Sequence, residues 1–415
     1  MQYKFFRRVR NLEAYLFDVL NFLVRSFHII TGIAWIGASF YFVMLDNSLH
    51  TPKNPADTKN GVFGELWAVH GGGFYHSQKY MLGPKNQPLD DNLHWSKWEA
   101  YTTWISGFFL MAIVYWYGAD IYLIDTSVAD ISQSTAIAIS LGFMFGGYII
   151  YDFLCKSALA KNDLVLGVVI FALVSTAAYA LTHIFSGRGA FMTFGAMLGT
   201  IMAASVFFVI IPGQKKMVER LIAGEKVDAA PGIAGKQRSV HNTYFTLPVV
   251  FVMISNHYAM TYNHEYNWLI LMGISMAGAL IRVFFVSRHT PGKPLTGALV
   301  TAVVIMVVVI WAMAPKSIVA NTDSTASPVE FSQVQAIIKQ RCSSCHADKP
   351  TQAGFAAAPK GFIYDTPEQI KAQATQIYQQ AVVLKAMPIG NLTKITDSER
   401  KLIALWYQQR QTTKE

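Results

Sequence analysis

Two cysteines and a histidine near the C-terminal end have the spacing that attaches haem c. They are Cys342, Cys345 and His346, in the order Cys-Ser-Ser-Cys-His. Each thiol of such a motif can form a thioether to one vinyl group of the porphyrin, and the histidine then presents its imidazole to the iron. Met387 is the only methionine after the motif and is the natural second ligand. His/Met ligation raises the reduction potential, so these residues predict an electron carrier.

A CxxC pair has two other common uses, a redox-active dithiol and half of a zinc site. Cys155 is the only further cysteine in the chain, so the sequence offers no second pair for zinc and no disulfide framework. No thioredoxin-like βαβ pattern surrounds the motif. Haem c is therefore the favoured interpretation. Because haem attachment to CxxCH takes place on the outer side of bacterial membranes, we expect the C-terminal domain to be periplasmic.

The composition is typical of a membrane protein. Of the 415 residues, 53% are hydrophobic and 14% are charged, and the net charge of +9 comes from basic residues in short loops between apolar runs. That distribution does not indicate nucleic-acid binding; it follows the positive-inside bias of membrane proteins. Eight runs are long enough to cross a hydrocarbon core of about 30 Å. They lie near 19–45, 101–124, 134–156, 163–185, 190–212, 241–262, 267–286 and 295–313.

Three regions follow from these patterns. Residues 1–314 form the membrane domain, 315–328 form a small, polar linker, and 329–415 form a soluble domain. Short helices before the motif, at 367–383 and from Asp397 to Gln409 give the soluble domain the order of a small class I cytochrome c. The predicted fold class is thus all-α, a polytopic transmembrane bundle of about eight spans followed by a cytochrome c domain.

Basic residues in the loops predict the orientation. The loop after the fifth span is crowded with Lys and Arg, whereas the loops after the second, fourth and sixth spans carry almost none apart from Arg188. The odd-numbered loops are then cytoplasmic, and the end of span eight lies outside, where haem attachment requires it. With eight spans the N-terminus would also lie outside, and its basic residues disagree with that orientation. We expect a multi-pass protein of the bacterial inner membrane, in contact with the lipid bilayer.

The connection 46–100 is unusually long and holds the densest polar and aromatic constellation. Two histidines, His70 and His76, flank three glycines that permit close approach of a ligand to the backbone. Aromatic side chains nearby can stack on a planar ring, and polar ones can pair with an anionic heterocycle. The alternative is a folded loop that covers the end of the bundle. The side chains concerned are Trp67, Tyr75, Gln78 and Lys79, with Arg282 of the seventh span and the His241–Tyr244 segment as further candidates.

Four histidines of the membrane half could be ligands of a haem b. His28 lies deep in the first span beside small residues that let a flat ring approach, while His183, His241 and His257 lie near span ends. The alternative for each is an interfacial imidazole bonded to a carbonyl or to water. The chain contains no GxGxxG after a strand and no P-loop, so a nicotinamide or a Rossmann-bound flavin is not expected.

The apolar spans, the Trp-Ala-Val-His-Gly-Gly-Gly-Phe-Tyr-His segment at 67–76 and the C-terminal CxxCH together resemble the bacterial membrane-bound urate oxidases fused to cytochrome c. The resemblance covers essentially the whole chain. It implies oxidation of urate to 5-hydroxyisourate, with electrons passed to the respiratory chain and no need to make hydrogen peroxide. The resemblance does not identify any catalytic residue in this sequence.

The chemistry of urate oxidation assigns roles to the residues named above. His70 or His76 could be the base, because imidazole titrates near working pH. Lys79 or Arg282 could hold the anion, and Trp67 and Tyr75 could stack on the purine. The next electron acceptor would be a soluble cytochrome c or a terminal oxidase.

A cytoplasmic substrate site would leave roughly 30 Å of hydrocarbon between urate and a periplasmic haem. Either the site faces the periplasm, or an intermediate cofactor such as haem b lies in the bundle. Two other functions stay open: a cytochrome c-linked dehydrogenase of another small substrate, and a non-catalytic anchor subunit for electron transfer.

Overall fold

The computed structural model describes residues 2–287, 295–314, 328–355 and 357–412, with side chains from residue 15 to residue 411 of those ranges. The predicted linker, 315–328, lies outside the described residues except for Pro328. The part up to Ala314 is mostly helical. Its helices are α1 (Gln2–Asn47), α2 (Pro55–Lys59), α3 (Trp98–Leu110), α4 (Ala119–Tyr122), α5 (Gln133–Lys156), α6 (Asp163–Thr182), α7 (Gly187–Ser205), α8 (Ile211–Ile222), α9 (Ala230–Ser255), α10 (Ala259–Tyr262), α11 (Asn267–Ser287) and α12 (Thr296–Ala312).

Five helical segments within the described ranges are long and apolar enough to cross a membrane. They coincide with five of the eight predicted spans and are compatible with a multi-pass membrane protein. Helices also occupy the other three positions, as α3, α9 and the shorter apolar α12. Crossing by those three stays a prediction. The five segments are Tyr15–Asn47, Gln133–Lys156, Asp163–Thr182, Gly187–Ile222 and Asn267–Ser287.

The α7–α8 segment is the centre of the bundle. In its most apolar window 67% of the residues are buried, against 6% in α1. Small residues let its neighbours approach closely: a Cβ on Gly147 of α5 would lie 2.7 Å from Met197 Cγ, and a Cβ on Gly195 would lie 2.5 Å from Val252 Cγ1 of α9. Helix α7 is therefore held tightly, and so is its first turn.

Two π-helical turns interrupt the α-helical hydrogen bonding. Met111–Trp116 continues α3, and Val206–Ile210 joins α7 to α8. Such turns occur frequently at functional sites. The first of them carries Tyr115, which belongs to a polar cluster described below.

The long connection 46–100 contains a β-hairpin, which departs from the all-α prediction. Strands β1 (Val62–His70) and β2 (Gly73–Tyr80) pair antiparallel. Gly71 and Gly72 form the two-residue turn with φ of +61° and +79°, a backbone conformation that glycine adopts without strain and that two-residue hairpin turns require. The glycines read from the sequence as a ligand-approach site are thus explained in part by the turn.

The C-terminal part is a small helical unit with its own core. It contains α13 (Phe331–Arg341), α14 (Pro367–Ala372), α15 (Ala374–Ile377), a π turn at Tyr378–Val383 and α16 (Asp397–Thr412). Its first and last helices are tied by Arg341, which donates to Glu399. Helical turns occupy 367–383 and a last helix begins at Asp397, as predicted. The buried side chains include Val334, Ile338, Ile370, Ile403 and Trp406.

This unit contacts the bundle at the end where α4 lies. A Cβ on Gly390 would lie 2.9 Å from the carbonyl oxygen of Ile124 and 3.0 Å from that of Ile121, so only glycine fits there. Asn263 Nδ2 donates to the Leu384 carbonyl over 3.2 Å. Gly390 therefore packs directly on the turn 121–124, and Leu384 is bonded to Asn263, so the segment between them, which includes Met387, is attached to the bundle at both of its ends.

Candidate functional site

The haem-attachment motif begins where α13 ends. Cys342 is the first residue after the helix, and Cys342 and Cys345 are free thiols. His346 Nδ1 lies 2.9 Å from the Phe362 carbonyl oxygen. A proton on Nδ1 donated to that carbonyl fixes the tautomer and the ring orientation, and it leaves Nε2 with its lone pair for a metal.

The thiols lie in surroundings unsuited to a redox dithiol. Burial raises the pKa of Cys342 to about 12 and also raises the pKa of Cys345. A dithiol that exchanges disulfides needs the opposite shift, because the thiolate is the nucleophile. Neutral sulfur, as in a thioether, suits this environment better.

Met387 is fixed by its backbone. Its N–H donates to the Gln380 carbonyl over 3.0 Å, and its carbonyl accepts from Arg400 Nη1 over 2.9 Å. Arg400 also donates to the Ala381 carbonyl and is 7% exposed. Two thiols, an oriented imidazole and a thioether sulfur thus occur in one small domain, a donor set that fits a covalently held haem with His/Met ligation.

The hairpin divides the predicted substrate-site residues between two faces. Alternate strand residues point to opposite sides, and the pairing places Trp67 opposite His76, and Glu65 opposite Gln78. These four residues share one face. The other predicted residues, His70, Tyr75 and Lys79, fall on the opposite face, so the hairpin does not assemble the proposed catalytic set as one site.

Lys79 and His76 of the hairpin each have a carboxylate partner. Lys79 Nζ lies 2.7 Å from Asp46 Oδ1. His76 Nε2 lies 2.8 Å from Glu65 Oε2, and the Trp67 ring stacks on the His76 ring with centroids 4.2 Å apart. The backbone N–H of Lys53 donates to Glu65 and, with His76, lowers the pKa of that carboxyl group. These contacts stabilise the hairpin and leave no unpaired cation on it for an anionic substrate among these residues.

The four predicted haem b ligands differ in their surroundings. His28 Nδ1 contacts the Thr103 carbonyl and Ser106 Oγ on α3, and His241 Nδ1 contacts Tyr151 Oη on α5 at 2.8 Å. His183 contacts the carbonyl of Tyr179, one turn earlier on its own helix. His257 is exposed. Within the described ranges no hydrogen bond or ring contact joins two of these four imidazoles.

Arg282 is buried in α11 and does not approach the hairpin residues predicted with it. Its guanidinium lies 3.9 Å from the centroid of the Phe40 ring. The side chain is 6% exposed, and Nε and Nη2 are buried without a hydrogen-bond partner among the described residues. Arg282 packs α11 against α1 in this structure.

A second polar cluster, at the end of the bundle that contacts the C-terminal unit, was not singled out from the sequence. Arg188 Nε donates to Asn256 Oδ1 over 2.8 Å and to Tyr115 Oη over 3.3 Å. The Arg188 guanidinium lies over the Tyr122 ring, 5.2 Å from its centroid. Tyr262 completes the set through the contact of its backbone with Gly187. We call Tyr115, Tyr122, Arg188, Asn256 and Tyr262 the Arg188 cluster.

One sequence signal pointed to this cluster. Arg188 is the exception in loops that otherwise carry almost no basic residues, and a charge retained against that bias calls for a local role. Its partners come from positions 115, 122, 256 and 262. Their proximity depends on the packing of α4, α7, α9 and α10, which periodicity does not reveal.

Comparison with protein-family models gives one match. The model described as Urate oxidase N-terminal matches residues 14–314, which is most of the chain and includes the hairpin and the Arg188 cluster. Searches of curated proteins and of solved structures found no match. On the strength of the family match, this chain belongs to the Urate oxidase N-terminal family.

Proposed function

We propose that this protein oxidises urate to 5-hydroxyisourate in the bacterial inner membrane and passes the electrons through a covalent haem c to the respiratory chain. The observation that carries the proposal is the contact between two parts of one chain. In the unit with the CxxCH motif, Gly390 packs on residues 121–124 and Leu384 is bonded to Asn263, both in the domain that matches the urate oxidase family. This contact supports the proposal, because it brings the unit with the haem-attachment motif against the domain that would oxidise the substrate.

The reaction balances without hydrogen peroxide. Urate and one water give 5-hydroxyisourate, two protons and two electrons, the oxygen of water bonding to C5. A haem accepts one electron at a time, so each turnover needs two successive transfers. The final acceptor would be a soluble cytochrome c or a terminal oxidase, with residues 329–415 in the periplasm.

Cys342 and Cys345 would hold the haem, and His346 and Met387 would ligate its iron. His/Met ligation supplies a centre of raised reduction potential. The protein's own contribution is to orient these ligands, through the Phe362 carbonyl at His346 Nδ1 and through Arg400 at the Met387 carbonyl.

A haem b relay is the weaker part of the proposal. Among the described residues no contact joins two of the four histidines, so no observation supports a particular pair of ligands. His28 is the best single candidate, because its Nδ1 is engaged by Thr103 and Ser106 and its Nε2 is left for a metal. A pyridine haemochrome assay of purified protein decides the question: a c-type signal alone eliminates the relay.

The test of the proposed function is anaerobic addition of urate to membranes that contain the full chain. We expect the α-band of reduced haem c to appear, with two haems reduced for each urate consumed. Xanthine and hypoxanthine serve as controls for the alternative of another small substrate. A haem that dithionite reduces but urate does not would contradict the proposal, and it would favour an anchor subunit that receives electrons from a partner.

A further inference from the structure

The Arg188 cluster has a cation without a counter-charge. Arg188 is half-buried, and its Nε is taken by two neutral groups, Asn256 Oδ1 and Tyr115 Oη. Among the described residues no carboxylate pairs with Arg188, and no group accepts from Nη1 or Nη2. A charge kept at the end of an apolar bundle without a counter-charge is a candidate for a functional role.

The first turn of α7 fixes the position of this guanidinium. Ser186 caps the helix, and its hydroxyl also donates to the Tyr122 carbonyl over 2.9 Å. A Cβ on Gly187 would overlap the Tyr262 carbonyl oxygen, and one on Gly189 would lie 2.9 Å from the Leu123 carbonyl oxygen. The turn is thus pressed against both α4 and α10, so that Arg188 is preorganised before any ligand arrives.

The groups around Arg188 suit a flat anion. With Nε occupied, the two Nη groups form an in-plane fork that matches two acceptors on one edge of a ligand. Tyr115 and Tyr122 lie edge to face, with centroids 6.3 Å apart. Tyr115 is buried, and the Tyr122 ring lies against the guanidinium, so the two rings hold the plane of the fork in place. Asn256, whose Nδ2 contacts Met192 Sδ, holds the geometry of the fork.

The cluster also lies at the contact with the C-terminal unit. Ile121 and Ile124, which touch Gly390, flank Tyr122 in the chain, and Asn263, which bonds the Leu384 carbonyl, follows Tyr262 directly. A ligand at Arg188 would therefore be separated from the Met387 segment by little more than the turn 121–124. Electrons from it would not need to cross the bundle.

We infer that the Arg188 cluster is the binding site for the planar purine anion, on the outer side of the membrane, beneath the C-terminal domain. The inference rests on the proposed function and gives it a location. It replaces the hairpin and Arg282 as the place where the anion is held. Arg188 supplies the charge and the fork, and Asn256 is a positioning residue that acts through Arg188.

Binding measured without turnover tests this location. The purified full chain in detergent is pre-reduced under anaerobic conditions, so that its haem takes no electrons, and radiolabelled urate is titrated by equilibrium dialysis. We expect Arg188→Gln to weaken binding about tenfold or more, as for loss of a charged bidentate contact. The urate affinity of Arg188→Lys should lie between those of wild type and Arg188→Gln, because an ammonium group keeps the charge but cannot make the two-pronged contact.

Asn256→Asp provides a variant of nearly unchanged size. Its carboxylate would neutralise Arg188 and repel the anion, so urate binding should fall as it does in Arg188→Gln. If Arg188→Gln does not fold, as judged by the haem spectrum and the melting temperature, Asn256→Asp and Arg188→Lys decide the question. Arg220→Gln, at the exposed far end of the same α7–α8 segment, is the matched control and should bind like wild type.

Two results would overturn the location while leaving the proposed function intact. One is wild-type affinity in both Arg188→Gln and Asn256→Asp. The other is loss of binding in Lys79→Gln or Arg282→Gln but not at Arg188. A wild-type protein that neither binds urate nor is reduced by it would overturn both the location and the proposed function.

Discussion

The two ends of the bundle use cationic and aromatic side chains in opposite ways. At the hairpin, Lys79 forms an ion pair with Asp46, and His76 is hydrogen-bonded to Glu65. At the other end, the partners of Arg188 among the described residues are neutral: it donates to Tyr115 and Asn256 and lies over the Tyr122 ring. The hairpin is richer in polar residues along the sequence, but these groups bond to neighbouring side chains and stabilise the hairpin itself. The proposed site is marked by a cation that, within the described part of the chain, keeps donors free at the end of the bundle, and not by the densest polar segment of the sequence.

Removing the haem-attachment thiols should have the largest effect and should separate binding from electron exit. In Cys342→Ser/Cys345→Ser we expect urate-dependent electron transfer to fall below detection, because no covalent haem can form. Urate should still bind, since the Arg188 cluster lies wholly within residues 14–314. The measurements are haem staining, acceptor reduction and dialysis with labelled urate.

Cys155→Ser, in the bundle and outside the motif, is the control for loss of a thiol and should retain both activities. Urate-dependent acceptor reduction in the double serine variant would contradict a role for haem c.

Vesicles of opposite orientation test which end of the bundle binds urate. A charged purine crosses hydrocarbon slowly, so right-side-out vesicles expose only the Arg188 end to added urate, and inside-out vesicles only the hairpin end. We expect the initial rate of haem c reduction to be about tenfold or more higher in right-side-out vesicles, with both rates equal after detergent. Faster reduction in inside-out vesicles would return the site to the hairpin.

A smaller effect is expected from disturbing the contact between the bundle and the C-terminal unit. In Gly390→Ala the new methyl group would meet the carbonyls of Ile121 and Ile124. Displacement by a fraction of an ångström should slow reduction of the haem by urate about tenfold. Stopped-flow spectroscopy measures this rate, and the haem spectrum and urate affinity should not change.

Gly361→Ala is a matched control, because Gly361 also has positive φ, at +72°, but has no atom within 4 Å of an added Cβ. Equal rates in the two variants would show that backbone strain, and not the contact, limits the transfer.

How far the sequence predicted this molecule depends on whether a feature is local. The motif at Cys342–His346 is local, and it can be recognised from the spacing of its residues without tertiary information. Apolar runs place helices because hydropathy needs only neighbours along the chain. The hairpin was missed because the glycines at 71–73 permit both a ligand and a turn, and only the pairing partner decides between them. The hydrogen-bond partners of Arg188 lie 68 and 73 residues away along the chain, so helix packing alone brings them together.

The hairpin keeps a structural role that a pH titration can isolate. Glu65 accepts from the Lys53 N–H and from His76, which lowers its pKa below the ordinary 4.5. A carboxyl group with a lowered folded pKa stabilises the fold fully above the unfolded value, and this stabilisation is lost as the pH falls through the folded value. Hydrogen exchange in a peptide spanning residues 50–70 should therefore stay slow above pH 4.5, after correction for the intrinsic exchange rate, and accelerate below it.

In Glu65→Gln this acid-dependent step should disappear, and exchange should already be faster at neutral pH, because a neutral amide accepts less strongly than a carboxylate. Urate affinity at neutral pH should change less than twofold, since the anion is held at the opposite end of the bundle. A change in affinity as large as that of Arg188→Gln would mean that the two ends are coupled, and the hairpin would then regulate the site without forming it.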